Sequence, residues 1–520
     1  MKQNFKITFE LVPARASGGK AVNDILLFAK EAAKDGKISA LSITDNAGGH
    51  PALAPKVLGQ EIKAVGIDPI IHFSCKDKNR NLMESELFEL DRLGLKRLLI
   101  VTGDYPRYGF KGNAKPVFDM DSVQVLMMIK DMNAGRLLDP RAPGGGIRLA
   151  PTAFSAGCVV SPFKRMEAEL IPQYQKLIKK LSLSPHFIIS QMGFDARKYD
   201  ELKKFLDNAI SIIKPANPPA LMGTVFIPTP GLARTLYAGG VPGCIMPRRL
   251  LKTIEKEASA PDHGLEARLE RGAKLIAILK GIGYDGVHLS GPQLQYEHIA
   301  RLLERSSELS PYWESLIGEF IFPEEWRYWY FKKDPVTGLN LTESDDSARR
   351  SKSSIKEALP FWFGNNIHRL AFERDGRLFG PLKLFAEYID KRPALRDGLT
   401  CFEHIIKSAS YDCRDCGDCT LEETAFICPQ SQCAKFLFNG PCGGSLDGWC
   451  EIWPEKKRCI YVRGYERVSR TKSRIYKNNV NIKIIGPRNW SLYKTSSWLN
   501  FYLGRDHQCL KDMRDPKQNY

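Results

Sequence analysis

Short apolar runs rich in β-branched residues recur through the N-terminal part of the chain: KITFE (6–10), ALSITD (40–45), DPIIHF (68–73), RLLIVTGD (97–104), IRLAPTAF (147–154), HFIISQM (186–192), ALMGTVFI (220–227) and YDGVHLSG (284–291). Between them VNDILLFAKEAAKDG, MEAELIPQYQKLIKKL and KYDELKKFLDNAISII repeat apolar positions at helical spacing. Strands alternating with helices make βαβ units and a parallel sheet. Eight such units predict an α/β fold, a (β/α)8 TIM barrel. No GxGxxG follows the first run, which disfavours an open dinucleotide-binding sheet. The 56 residues between the seventh and eighth runs predict more than one helix.

Nearly every run ends in a polar residue: Glu10, Thr44 and Asp45, His72, Gly103 and Asp104, Gln191 and, less cleanly, His288. Any one of these could simply begin a loop. Together they fall at the C-terminal ends of six strands, where this fold builds its active sites.

At 520 residues the chain has room for two to four domains of roughly 150 residues. A hydrophobic fraction of 43 % and a charged fraction of 26 % exclude a mostly disordered chain. No apolar run reaches the 18 or so residues of a membrane span, and MKQNFKITFELVPA has no apolar signal region. The expectation is a cytoplasmic protein without a membrane partner. The net charge of +17 is concentrated at the end, where residues 461–520 hold 13 Lys/Arg against 4 Asp/Glu. The excess elsewhere is mild and does not diagnose nucleic acid.

The cysteines are uneven too. Nine of 13 lie between Cys401 and Cys459, which in a reducing compartment indicates metal ligands rather than disulfides. From Cys413 the spacing gives eight candidate ligands: Cys413, Cys416, Cys419, Cys428, Cys433, Cys442, Cys450 and Cys459. Three close thiols, with Pro429 after Cys428, suit two 4Fe–4S clusters. Two structural zinc sites of four cysteines fit the spacing equally well, and the grouping stays open.

TFELVPAR, SITDNAGGHP, IIHFSCKDKNR, LLIVTGDYPRYG, VFDMDSVQVLMMIKDMN, FIISQMGFD and VFIPTPG, in that order, resemble the methylenetetrahydrofolate reductase family over roughly residues 5–300. The resemblance implies a flavin-dependent barrel that reduces 5,10-methylenetetrahydrofolate to 5-methyltetrahydrofolate. It makes Glu10 the general acid that protonates N10 of the folate, with burial expected to raise its pKa. It makes Asp104 the carboxylate that stabilises the ring-opened cation and Gln191 a contact to the folate. It gives the flavin Thr44, Asp45, His72, Thr102, Gly103, Asp104, Asp119, Phe154 and Lys180, the last meeting a phosphate. AFSAGCVVSPF (153–163) lacks the family's Tyr and His, so FAD is the default and FMN stays open.

CRDCGDCTLEE, CPQSQCAKFLFNGPCGG and CEIWPEKKRC resemble the C-terminal domain that accompanies such reductases in acetogens and related anaerobes, where it resembles an electron-transfer partner. This favours iron–sulfur over zinc and makes either NAD(P)H or a ferredoxin the electron donor. The expected divisions are a barrel over 1–305, a connecting region over 306–400 with its linker at 339–354, a cysteine domain over 401–465 and a basic extension over 466–520. The extension is expected to be solvated or loosely packed. Two other readings stand beside the reductase: a folate-binding subunit of a larger one-carbon complex, and a zinc-stabilised nucleic-acid-binding protein, the latter leaving the polar strand ends unexplained. Homo-oligomer formation and an electron-transfer protein partner stay open.

Overall fold

The computed structural model describes residues 5–107, 109–138, 146–345, 355–469 and 483–507. Eight parallel strands close into a barrel: β1 Lys6–Leu11, β2 Ala40–Ile43, β3 Pro69–Ser74, β4 Arg97–Val101, β5 Ser155–Val160, β6 Phe187–Ser190, β7 Ala220–Phe226 and β8 Gly286–Ser290. Neighbours in sequence are neighbours in the barrel, and β8 pairs with β1 with Lys6 opposite Gly286 and Thr8 opposite His288. β2 and β3 are buried along their whole length, because helices cover the outside while side chains fill the lumen.

The fifth strand is not where the sequence pattern put it. IRLAPTAF begins as a short hairpin strand, Gly146–Arg148, paired with Arg136–Leu138, and the barrel strand is the following SAGCVV. Small residues are needed there: a Cβ on Gly157 would stand 2.2 Å from the Phe187 ring. Between β7 and β8 the long gap holds three helices, Pro230–Tyr237, Arg248–Glu257 and Leu265–Ile282.

Residues 310–345 strap the barrel helix Ala196–Ile213. Asp195 caps that helix by accepting from Lys198 N at 3.1 Å, and it also accepts from Phe322 N at 2.8 Å and Trp326 Nε1 at 2.9 Å. Arg197 stacks on Trp329 at 3.8 Å, and Lys198 and Glu201 form a fully buried ion pair at 2.8 Å. The expected linker therefore begins as structure. Asn340–Ser344 pairs with Phe331–Lys333, and buried Asn340 donates to Asp200 at 2.8 Å; positions 346–354 lie outside the described residues.

Three helices follow, Ile355–Ala371, Phe379–Asp390 and Pro393–Tyr411, and lead into the cysteine module. The module closes with helix Ile460–Ser469, whose Val462 and Tyr465 pack on Ala168 of the barrel helix Glu167–Leu181. Of the extension expected to be loose, residues 483–507 are packed: His507 pairs with Asp418, and Ile485 N donates to Asn439 at 2.8 Å. No described helix is long and apolar enough to cross a membrane.

Candidate active site and cysteine centres

Inward-facing polar side chains converge at the C-terminal end of the barrel. In β1 the alternation Thr8–Phe9–Glu10 turns Thr8 and Glu10 to the same side. Register brings Glu10 beside Ser42 of β2 and Thr8 beside His288 of β8. The Ser42 hydroxyl lies 2.6 Å from His72 Nε2, the Thr8 hydroxyl 2.8 Å from His288 Nδ1, and His288 Nε2 faces a Glu10 carboxylate oxygen at 3.5 Å. One ligand-capable atom from each of Glu10, His72 and His288 lies within 4.8 Å of the others.

The electrostatics of this cluster differ from the expectation. Burial acts to raise the Glu10 pKa, but the hydrogen bond and charge of His288 and the charge of His72 outweigh it, so the carboxyl is held below its ordinary value. Burial pushes His72 down to about 4, against the pull of Glu10, so this imidazole is neutral at pH 7. His288 was among the polar strand ends, whereas Thr8 and Ser42 are partners that the strand-end pattern did not bring in.

The loops above the strands hold most of the remaining candidates. Buried Thr44 has a hydroxyl with no hydrogen-bond partner among the described residues. Asp45 accepts from Ser74 N at 3.2 Å and from Lys78 Nζ at 3.0 Å. Thr102 is buried, and Gly103 has φ +86°, with Ser74 Oγ only 2.2 Å from where a Cβ would stand. Asp104 is exposed and accepts from Gly48 N at 2.7 Å, tying the β2 and β4 loops together. Gln191 follows β6, and its Oε1 accepts from Met192 N at 2.9 Å.

Three other candidates lie elsewhere or are already engaged. Phe154 precedes β5 and is therefore at the N-terminal end of the barrel, buried in the core opposite the mouth. Lys180 lies on the barrel helix Glu167–Leu181 and donates to Val159 O at 2.6 Å; burial pushes its pKa down to about 8, and it offers no free ammonium to the mouth. Asp119 holds Arg80 through two bonds of 2.9 Å and accepts from Trp490 Nε1 at 2.8 Å.

The cysteine module sits on the rim of this mouth. Lys435, buried, donates to Gly103 O at 2.8 Å and pairs with Glu451. Lys164, just beyond β5, donates to Ser445 O at 2.7 Å. Asp121 accepts from Asn439 N at 2.8 Å, and Glu169 from Gly448 N at 3.0 Å.

The eight cysteines separate in sequence order. Cys413, Cys416, Cys419 and Cys428 line one cavity of about 710 Å³, and Cys433, Cys442, Cys450 and Cys459 line a second of about 30 Å³. Among the described residues no three of these sulfurs approach within 4.8 Å of one another. The first cavity also carries cationic side chains. Arg488, from the extension, is 4 % exposed, and among the described residues its Nε and Nη1 have no hydrogen-bond partner. Lys407 is buried there too, held by Glu403 at 3.0 Å. A buried guanidinium with unused donors facing four thiols suits an anionic occupant.

The fold and the site together are a closed (β/α)8 barrel with a carboxylate and two imidazoles at its mouth and a thiol-rich module on its rim. Residues 1–291 match the family described as Methylenetetrahydrofolate reductase, and residues 393–491 the one described as Methylene-tetrahydrofolate reductase C terminal. The chain belongs to the methylenetetrahydrofolate reductase family, and its barrel is that of an oxidoreductase of this kind. Among solved structures, a Clostridium thermocellum protein described as binding two copies of 5-methyl-5,6,7,8-tetrahydrofolic acid is similar at 13 % identity and TM-score 0.39, over 60 % of this chain and 96 % of that one. The long-chain alkane monooxygenase LadA is similar at 13 % identity and TM-score 0.35, over 63 % and 99 %. The EDTA monooxygenase EmoA of Chelativorans sp. BNC1 is similar at 12 % and 0.36, over 62 % and 95 %. No curated protein matches the chain significantly.

Proposed function

We propose that the chain reduces the one-carbon bridge of 5,10-methylenetetrahydrofolate to the methyl group of 5-methyltetrahydrofolate at the mouth of its barrel. The observation that supports this most directly is Glu10 facing His288 beside neutral His72, in a barrel of this family. Thr44, Asp45, His72, Thr102, Gly103 and Asp104 would hold FAD or FMN, which would supply the hydride. Thr44 fits such a role because its buried hydroxyl is unsatisfied within the protein.

Glu10 and His288 act as a couple. Thr8 fixes His288 through Nδ1, leaving Nε2 to share a proton with the Glu10 carboxyl. A pterin that excludes water from the mouth shifts the Glu10 pKa upward, since burial already acts in that direction. Glu10 then protonates N10 of the folate, the bridge opens, and His288 restores the proton. Asp104 stabilises the cation by Coulomb attraction, and Gln191 orients the pterin edge.

Cys413, Cys416, Cys419 and Cys428, and Cys433, Cys442, Cys450 and Cys459, would each hold an iron–sulfur cluster, which would supply one-electron chemistry with a carrier such as ferredoxin as donor, NAD(P)H at the mouth being the other donor. Lys435, between Cys433 and Cys442 in sequence, carries the contact from the second group to the Gly103 loop. The test is anaerobic purification with measurement of flavin, iron, sulfide and zinc per chain, then reduction by NADH, NADPH and reduced ferredoxin, and assay of methyl product. A chain that carries no flavin and takes up none when supplied ends this reading. A flavin-loaded chain that turns over only with a second protein supports the alternative of a subunit in a larger one-carbon complex.

A further inference from the structure

The loop that carries three of the first four cysteines does not hold its own shape. Between Cys413 and Cys419 the backbone belongs to no helix or strand. Asp412 ends the helix Pro393–Tyr411 at φ +53°, and Asp415 (φ +50°) and Gly417 (φ +70°) are left-handed as well. Such a backbone persists only where its surroundings fix it. Here they come from far along the chain. Lys494 N donates to Asp415 O at 2.8 Å, and Asn500 Nδ2 to Gly417 O at 2.9 Å. A Cβ on Gly417 would stand 1.9 Å from Leu492 O. The Asp418 carboxylate accepts from Asn489 N at 2.9 Å and His507 N at 3.0 Å, and pairs with the buried His507 ring. The same segment closes another wall of the cavity, where Ser496 and Ser497 donate to Glu403, the partner of Lys407, at 2.5 and 2.6 Å.

We propose that residues 488–507 are the template on which the first cysteine group acquires its iron–sulfur cluster, and that the second group assembles without them. This rests on the reading that the first group holds such a cluster. Three cysteines spaced two residues apart must turn toward one centre before a cluster can join them, and a loop ordered beforehand loses less freedom when it binds. Residues 488–507 order this loop through its backbone. They also bring in Arg488, whose Nε and Nη1 have no hydrogen-bond partner among the described residues and suit an anionic group. The second group is braced by the barrel instead. Lys435 donates to Gly103 O at 2.8 Å, Asn439 N to Asp121 at 2.8 Å and Gly448 N to Glu169 at 3.0 Å. Lys494, Asn500 and His507 are therefore positioning residues for one cluster and not for the other.

The experiment compares full-length wild type with Asn500→Asp, which keeps the shape of the side chain but sets an acceptor where Gly417 O needs a donor. Cys416→Ser marks loss of the first cluster. Each protein is reconstituted anaerobically with iron and sulfide. Iron and flavin per chain, electron paramagnetic resonance of the reduced protein, and the rate of iron release to a ferrous chelator are then measured. Wild type is expected to hold about eight irons and Asn500→Asp about four, with a remaining resonance that superimposes on that of Cys416→Ser and with unchanged flavin. Asn500→Ala, which is gentler on the fold, is expected to keep the first cluster but release its iron about tenfold faster. Full iron released at the wild-type rate from both variants overturns the proposal. So does loss of both clusters in step, because the segment then supports the whole module. A wild type without iron, or with iron that Cys416→Ser does not diminish, ends instead the reading of the first group as a cluster site.

Discussion

Replacing Arg488 by methionine keeps most of the side-chain volume and removes one positive charge from the first cysteine cavity. Its effect on a cluster there follows from the arrangement. The neighbouring Lys407 is already neutralised by Glu403 and is fixed by Ser497 as well, so its field is largely cancelled. Arg488 stacks on Phe438 at 4.6 Å, and among the described residues its Nε and Nη1 have no hydrogen-bond partner. At an effective dielectric of about 20, a unit charge about 6 Å from a group that gains one electron favours reduction by roughly 3 kcal/mol. Solvent at the cavity opening halves this, and 1.4 kcal/mol corresponds to about 59 mV for one electron, so the variant's midpoint potential is expected to fall by about 60–120 mV. Arg488→Lys, which keeps the charge without the fork, is expected to recover most of the shift. The assay is an anaerobic redox titration followed by electron paramagnetic resonance of the reduced cluster, with iron measured in the same samples. Full iron occupancy with an unchanged potential would refute the reasoning about Arg488. Absence of iron from the wild-type protein would refute the cluster itself.

Glu10→Gln is expected to lower methyl product formation by about 10²–10⁴-fold while folate binding survives, as read by single-turnover kinetics beside equilibrium titration. His288→Ala removes the partner that holds the Glu10 pKa down, so the Glu10 titration seen by difference infrared spectroscopy should move upward. The stability that Glu10 gains from His288 is present above its ordinary pKa and disappears as pH falls through the lowered folded value, so this variant should lose less stability than the wild type on acidification. Gly103→Ala puts a Cβ 2.2 Å from Ser74 Oγ at φ +86° and should reduce flavin content, measured by release from the purified chain. Lys435→Met leaves buried Glu451 without its partner and Gly103 O without a donor; a loss of about 3–5 kcal/mol is expected in denaturant unfolding, and a smaller change would show that the module is held elsewhere.

The barrel was legible because seven of its strands announce themselves as β-branched runs, six of which end in polar residues. The fifth did not: Gly157 must leave room for Phe187, so its strand is written in small residues, and the more apolar IRLAPTAF nearby drew the assignment. At the mouth, Glu10 and His72 stand out in apolar runs, whereas Thr8 and Ser42 are ordinary strand residues whose importance comes only from register. Phe154 and Lys180 show the opposite failure. Motif position carried them toward the flavin, but one precedes its strand and the other spends its ammonium on Val159 O. The division of the cysteines needed the fold, since spacing alone allows interleaved groups.

Asp121 explains why the barrel and the cysteine module form one continuous structure rather than two tethered bodies. It caps the helix Ser122–Asn133 by accepting from Val123 N at 2.9 Å and Gln124 N at 3.1 Å, while Gln124 returns a bond to Asp121 N. Its other oxygen accepts from Phe438 N at 3.2 Å, Asn439 N at 2.8 Å and Asn439 Nδ2 at 3.0 Å. Gln124 Nε2 then reaches Gly486 O at 2.8 Å, so one buried capping box in the barrel holds both the module and the C-terminal segment. Separating them exposes none of these groups cleanly; it strips a carboxylate of three donors while its helix cap remains. The same box follows the Asp119 turn and the β4 loop that carries Gly103, so the helix cap, the candidate flavin loop and the second cysteine group share one rigid frame. With the proposed flavin at the mouth and the proposed cluster in the second cysteine group, a frame of this kind would hold the two at a fixed separation, which transfer of single electrons between them would require.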